Sequence, residues 1–481
     1  MSYTVTQNTS FLTAASIMQK VISFVYFTFV ARLIGVENTG VYFFAITFTT
    51  IFTVVADFGM GPVLTREAAR YPDSSERYLN TVFWSKIFFG VGAYLLVIFF
   101  INILDYPATT KLLVYLSGIT MFFDNLHAVF YSIFRARKNL IYESIGIVGS
   151  QGLTLIIGSI ALFNHWPLYW LILAYTIPAF LNFVFSSLAL KKVYGFRYGW
   201  NFDSGIFKLF LGFAFPFALA GIISRLYSYS DSLIMSKMLG PQELGWWSVP
   251  YKITFAFQFI PVALSASIYP VMSSLFLDQK EKIGELFLKS WRYLFTIVFP
   301  LSFGLIALAS PIIIKLYKPQ FAPAIPVLRI LLISLIFGYL GFITSATLNA
   351  TNRQKIQTSL LALALVINII FNLILLPKIG IIGAAFSALF SNVVLCVGGF
   401  WFCRQIVYLD VRVLFGFFNR TFWPALLMGI LAFYLSTKIH FIFIIPLAAI
   451  LYGLLLFVFG GVDKDLIVKF YYKIFGFKKN V

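Results

Sequence analysis

The chain has 481 residues, 60% hydrophobic, 19% aromatic and only 11% charged, with a mean hydropathy of +0.91. Soluble globular domains carry about 25% charged residues, so this balance excludes them. The net charge of +19 would suggest a nucleic-acid partner in a soluble protein. Here the basic residues gather at the ends of apolar segments, and no nucleic acid is expected.

A helix needs about 20 apolar residues to cross the hydrocarbon core. By that measure fourteen spans follow one another at about 10–34, 40–62, 82–104, 112–134, 143–163, 167–190, 206–234, 244–269, 291–310, 327–348, 356–376, 379–403, 420–437 and 440–460. Residues 144–190 contain no Asp, Glu, Lys or Arg, and the turn-like Asn164-His165-Trp166-Pro167 divides them into two spans. Long apolar runs, rather than ten-residue alternation, exclude a membrane barrel. The expected fold is an all-α polytopic membrane protein.

With the N-terminus inside, 25 of the 36 basic residues fall at cytoplasmic helix ends and eight at outer ends. That bias predicts both termini on the cytoplasmic side of the cell membrane. The inner set includes Arg66 to Lys86 and the tail from Lys464 onward. Lys20, Arg225 and Lys252 lie within spans. No cleavable signal is expected, because residues 1–10 are uncharged and no small-residue cleavage site follows. Cys396 and Cys403, on one predicted helix, suggest neither a disulfide framework nor a metal site.

A shift of 205 residues lays Arg32-Leu33-Ile34-Gly35 on Lys237-Met238-Leu239-Gly240, Gly40 on Gly245, Tyr42 on Trp247 and Lys20 on Arg225. A weaker echo at 214 sets Ala136 and Lys138 on Ala350 and Asn352. Six spans separate the repeats, so both halves share one topology and a pseudo-two-fold axis along the membrane normal. The expected organisation is a lobe of six helices at 1–200, a second at 201–405, and two further helices with a basic cytoplasmic tail at 406–481.

Asp57-Phe58-Gly59-Met60 followed by Thr65-Arg66-Glu67-Ala68-Ala69-Arg70 resembles the end of the second helix in Wzx-type polysaccharide and O-antigen flippases. Phe134 to Asn139 with Tyr142-Glu143, Phe215-Pro216, Asp231 before Gly240 and Gly245, and Pro261 with Pro270 extend the resemblance over about residues 8–405. It implies membership of the multidrug/oligosaccharidyl-lipid/polysaccharide exporter superfamily. The implied cargo is a polyprenyl-diphosphate-linked oligosaccharide, moved from the cytoplasmic to the outer leaflet for cell-surface polysaccharide biosynthesis. Helices thirteen and fourteen are similar to those of fourteen-span lipid II flippases.

A charge at bilayer depth costs roughly 2.5–3.5 kcal/mol on insertion scales, so each buried ion needs a partner, a wet cavity or a ligand. Lys20 and Arg225 lie about 18 Å from the outer helix ends, near the midplane, at 1.5 Å per residue. They are expected to hold a diphosphate, one from each lobe; ion pairing or snorkelling is the plainer use. Lys252, at the depth of Asp231, is either a binding element or one half of a lock between the seventh and eighth helices. Tyr227, Tyr229 and Tyr251 could stack on sugar faces.

Asp124 and His127 share a helix face near the midplane and could carry a coupling proton or sodium ion. An Asp124–Lys20 ion pair is the alternative. Asp57 is a third candidate, although a helix-end contact with Arg66 suits it as well. Asn182, Asn368 and Asn372 are expected to bond between helices. No phosphate loop, HExxH or Gly-x-Ser-x-Gly is present, so neither catalysis nor a cofactor is expected. A cation or drug antiporter of the same superfamily, or a lipid II flippase, is the alternative, and a membrane glycosyltransferase or polymerase is less favoured. Membrane lipids are expected partners, and a polymerase or glycosyltransferase a further one.

Overall fold

The computed structural model describes residues 5–196, 199 and 201–461. The basic tail from Lys464 onward lies outside the described residues. Every regular element among the described residues is helical. In chain order these are α1 (Val5–Ile34), α2 (Val36–Asp57), α3 (Met60–Arg70), α4 (Ser75–Ile103), α5 (Ala108–Ala136), α6 (Ile141–Phe163), α7 (Tyr169–Tyr194), α8 (Ser204–Met238), α9 (Pro241–Phe257), α10 (Phe259–Asp278), α11 (Lys280–Ala307), α12 (Ala309–Tyr317), α13 (Ala324–Ala350), α14 (Gln354–Ile379), α15 (Ile381–Arg404), α16 (Val411–Leu435) and α17 (Phe441–Val458).

Fourteen of the resulting spans are long and apolar enough to cross a membrane, as the hydropathy pattern predicts. Their ends run further than expected where charged turns leave the apolar slab. The ninth span begins at Glu281 rather than 291, and the thirteenth at Val411 rather than 420. Hydropathy registers only the part of a helix in hydrocarbon, whereas Asp410 caps α16 on the Arg412 amide well outside it.

The second span is two helices. Phe58 and Gly59 take left-handed conformations, φ 46° and 72°, so α2 stops and α3 restarts at Met60. An added Cβ at Gly59 would lie 2.7 Å from the Ala214 carbonyl oxygen, so the bend packs directly on α8.

Both repeat signals have a backbone counterpart. Lys138 and Asn352, 214 positions apart, both adopt positive φ, 53° and 60°. Each ends its helix with the same pair of bonds: Lys138 N to Arg135 O and Asn139 N to Phe134 O, then Asn352 N to Asn349 O and Arg353 N to Leu348 O. At the 205-residue shift, a Cβ on Gly40 would overlap the Pro241 carbonyl oxygen, and a Cβ on Gly245 the Val36 carbonyl oxygen. Val36 and Pro241 open α2 and α9 and are themselves 205 apart, so the contact is reciprocal.

The chain forms two compact units, Met1–Ala256 with Asn368–Ala384, and Phe257–Ile367 with Ala385–Val481. In the second, α16 is held on α11 by a ladder of rings: Phe295 on Phe299 at 5.1 Å, Phe418 edge-on to Phe299 at 5.4 Å, and Phe422 edge-on to Phe303 at 5.4 Å. The Tyr452 hydroxyl then donates to Thr296 O at 3.0 Å, tying α17 to the same helix. All the ionisable candidates named above lie in the first unit.

Candidate functional site

Four helices of the first unit bring the predicted cations together. The Lys20 ammonium of α1 lies 4.7 Å from the centre of the Phe255 ring on α9. The Lys252 ammonium of α9 lies 5.4 Å from Phe27 and 6.0 Å from Phe43, on α1 and α2. Phe43 meets Tyr251 edge-on at 5.6 Å, and Tyr251 stacks on Phe255 at 5.9 Å, so one run of rings links the two lysines. The two ammoniums lie within electrostatic reach of each other. Arg225 of α8 is exposed and within electrostatic reach of Tyr251. Lys20, Lys252 and Arg225 form no ion pair with a carboxylate among the described residues. Aromatic faces attract cations at this depth by about 0.5–2 kcal/mol, which holds the ammoniums in place without neutralising them.

Among the described residues neither alternative pairing forms: Lys20 makes no ion pair with Asp124, and Asp231 none with Lys252. Asp231 instead accepts from Asn368 Nδ2 at 2.9 Å and Asn372 Nδ2 at 2.6 Å, both on α14. Ser230 Oγ donates to Asn368 Oδ1 at 2.8 Å. The asparagines thus bond between helices as expected, and Asp231 is buried at their centre. Tyr227, one turn before Asp231, lies within its electrostatic reach.

Asp57 also has a partner other than the expected one. Its Oδ1 lies 2.5 Å from Lys86 Nζ, while Arg66 pairs with Glu67 at 2.7 Å. Lys86 is fully buried in α4 and donates to Asn125 O as well, at 3.4 Å. The charge count groups it with three arginines at a cytoplasmic helix end, although it falls inside the expected span 82–104; the apolar residues on both sides of it are the signal for a membrane position.

Asp124 and His127 do share a face of α5, with Oδ1 and Nδ1 3.7 Å apart. They line a cavity of about 380 Å³ with Gln19, Thr49, Thr120, Gln151 and Asn182 among its other walls. Hydroxyls dominate that lining: Thr49 bonds Ser117 at 2.7 Å and Thr120 bonds Thr176 at 2.7 Å. His127 Nδ1 and Gln151 Nε2 are buried without a hydrogen-bond partner. Gln151 escaped sequence reasoning, since a lone amide on an apolar helix reads as an interhelical bond. No group of three or more His, Cys, Asp or Glu that could hold a metal occurs among the described residues.

The polysaccharide biosynthesis protein family matches residues 5–276, and the MatE family residues 216–374. An uncharacterized membrane protein of Methanocaldococcus jannaschii is 26% identical over 38% of the chain, which spans 37% of that relative's length. A capsular polysaccharide biosynthesis protein, CapF, of Staphylococcus aureus is 21% identical over 83% of the chain and 99% of its own length. A putative O-antigen transporter of Shigella flexneri is 25% identical over 75% of the chain and 88% of its own. Among solved structures, the lipid II flippase MurJ in an inward closed conformation superposes with a TM-score of 0.75, at 17% identity, over 96% of this chain and 99% of that one. With more than half its length matched by that family, the chain is a member of the polysaccharide biosynthesis protein family.

Proposed function

We propose that this protein is a flippase that carries a polyprenyl-diphosphate-linked oligosaccharide from the cytoplasmic to the outer leaflet, by alternating access between two six-helix lobes, 1–200 and 201–405. It moves its cargo and makes no bond. Its place is the cell membrane with both termini cytoplasmic, and the enzymes that make or polymerise the glycan are its natural partners.

One observation carries the reading: Lys20 and Lys252, within apolar spans, stand over aromatic rings, Arg225 lies within electrostatic reach of Tyr251, and none of the three pairs with a carboxylate among the described residues. A diphosphate entering a low-dielectric site needs fixed cations, and the adjoining rings of Tyr251 and Phe255 offer faces for a sugar. The same charges disfavour the antiporter alternative, because an organic cation would be repelled by three positive groups. The repeat-related contact of Gly40 with α9 and Gly245 with α2 supports the two-lobe arrangement. A proton or sodium ion gradient supplies the work, through the Asp124–His127 cavity.

The test is a surface-glycan assay in a host lacking its own flippase. Lys20→Ala and Lys252→Ala should each lower surface glycan at least tenfold at normal protein levels. Arg225→Lys should be impaired, since it loses the bidentate fork. Full surface glycan from the Lys20→Ala, Lys252→Ala double variant overturns the diphosphate site.

A further inference from the structure

Along α5 the polar residues Ser117, Thr120, Asp124, His127, Tyr131 and Arg135 follow one another at three- and four-residue steps. They form one stripe about 27 Å long, close to the full thickness of the hydrocarbon core. Its outer half consists of the bonded hydroxyl pairs, and its centre is the Asp124–His127 cavity. A polar cavity of about 380 Å³ is roomy enough for several waters, whose bulk share is about 30 Å³ each. The orphaned His127 Nδ1 and Gln151 Nε2 mark groups that such waters would serve.

The cavity has a floor. Asn182, in its lining, accepts a 2.5 Å hydrogen bond from the Tyr131 hydroxyl. That bond lies against Gly146, where any Cβ would overlap the hydroxyl oxygen. One turn below Gly146 on α6 stands Glu143, buried and gripped by Arg135, with Nε to Oε2 at 2.9 Å. Arg135 itself is half exposed.

We infer that this stripe is a proton relay and that the Tyr131–Asn182 bond is its inner gate, with Glu143 as the acceptor beyond it. The inference rests on the transporter reading and specifies the proton as the ion used at the cavity. A proton taken up by the Asp124 carboxylate from cavity water passes to Nδ1 of His127, making an imidazolium. Once the gate opens, it passes through water to the Glu143 carboxylate and on to the cytoplasm. Asp124 and His127 return to their starting forms, and one proton has crossed. An imidazole nitrogen beside the carboxylate suits a proton, whereas hard cations select oxygen. The other charged and titratable groups facing this route are Lys86 on α4 with its partner Asp57 on α2, and Tyr175 on α7.

The purified protein in liposomes loaded with a pH-sensitive dye, under a potassium-valinomycin potential, reads the flux without any glycan. Gly146→Ala should displace Tyr131 and raise acidification at least fivefold, Tyr131→Phe should raise it by removing the gate bond, and adding Asp124→Asn should abolish the flux in both. Acidification that Asp124→Asn leaves unchanged overturns the relay, as does its absence from every variant. Uptake of labelled sodium that depends on Asp124 without acidification overturns it too. None of these results bears on the surface-glycan assay of the lysine variants, so the relay can fail while the flippase reading stands.

Discussion

Lys86 lies eleven residues into α4, about 16 Å along the helix, and no part of it reaches solvent. Its ammonium is compensated by Asp57 and by the Asn125 carbonyl oxygen, and Asn125 in turn donates Nδ2 to Ala56 O at 2.9 Å. The pair therefore ties α4 and α5 to the last turn of α2, beside the Phe58-Gly59 bend. Removing one partner of a buried pair costs about 3–5 kcal/mol, because the other is left as an uncompensated buried charge. Asp57→Ala should thus lower the midpoint of thermal unfolding in detergent markedly, and Asp57→Ala with Lys86→Met should recover most of the loss. Equal unfolding midpoints for the single variant and the wild type would show that Lys86 is satisfied without Asp57. The apolar residues on both sides of this lysine set it apart from the three arginines before it, and it falls inside the expected span 82–104. Taking it from the inner tally leaves the charge bias intact.

The start of α8 shows how an element boundary is set by chemistry outside the apolar slab. Asp203 accepts from the amides of Gly205 and Ile206, at 2.8 and 3.0 Å, and pairs with Arg77 at the start of α4. Its own amide donates to Thr81 Oγ1 at 3.3 Å, and Trp84 Nε1 donates to Gly199 O at 2.9 Å. The segment between α7 and α8 is thereby fastened to α4. The Ile206 amide, then Arg77 and the Gly205 amide, hold the Asp203 carboxyl below the usual carboxylate range. Because its folded value is depressed, the cap's contribution is present above the unfolded value and is lost as pH falls through the folded one. Asp203→Ala should therefore speed hydrogen exchange of the first turn of α8 at neutral pH, while the middle of α8 stays unchanged. If that turn exchanges at the wild-type rate, the segment is held by Trp84 and not by the cap. Apolar run length revealed α8, but the cap was not legible, since an Asp before a helix looks the same whether or not an arginine from another helix reaches it. The break in α2 was hidden for a similar reason, because half of it falls on Phe58, a residue that seldom takes positive φ.

At the scale of the whole molecule, the fourteen spans were legible because lipid admits few ways to satisfy a backbone, so run length alone identifies them. The cations were legible for the same reason: a charge in hydrocarbon is conspicuous. Their aromatic surroundings were not, since Phe27, Phe43 and Phe255 are three among 57 phenylalanines. The most far-reaching sequence signal was the 205-residue repeat, because it pairs Gly40 with Gly245 in sequence and the fold sets each against the other's helix. The same end of these helices carries further ties: Lys237 Nζ donates to Leu104 O at 2.6 Å, and Tyr106 shares a 2.8 Å hydrogen bond with Ser236. If the lobes rock about the cation site, this close approach of α2 and α9 must form and break in each cycle, and only glycine permits it at either position. Gly40→Leu and Gly245→Leu should then have the same consequence, because the contact is reciprocal. Each should hold the outer end open, abolish surface glycan, and speed labelling of a cysteine placed at exposed Gln19 by an impermeant thiol reagent added outside. The native Cys396 and Cys403 are buried and give little background. Normal export by either leucine variant, or faster labelling in one and not the other, would show that this contact is fixed packing and takes no part in the transport cycle.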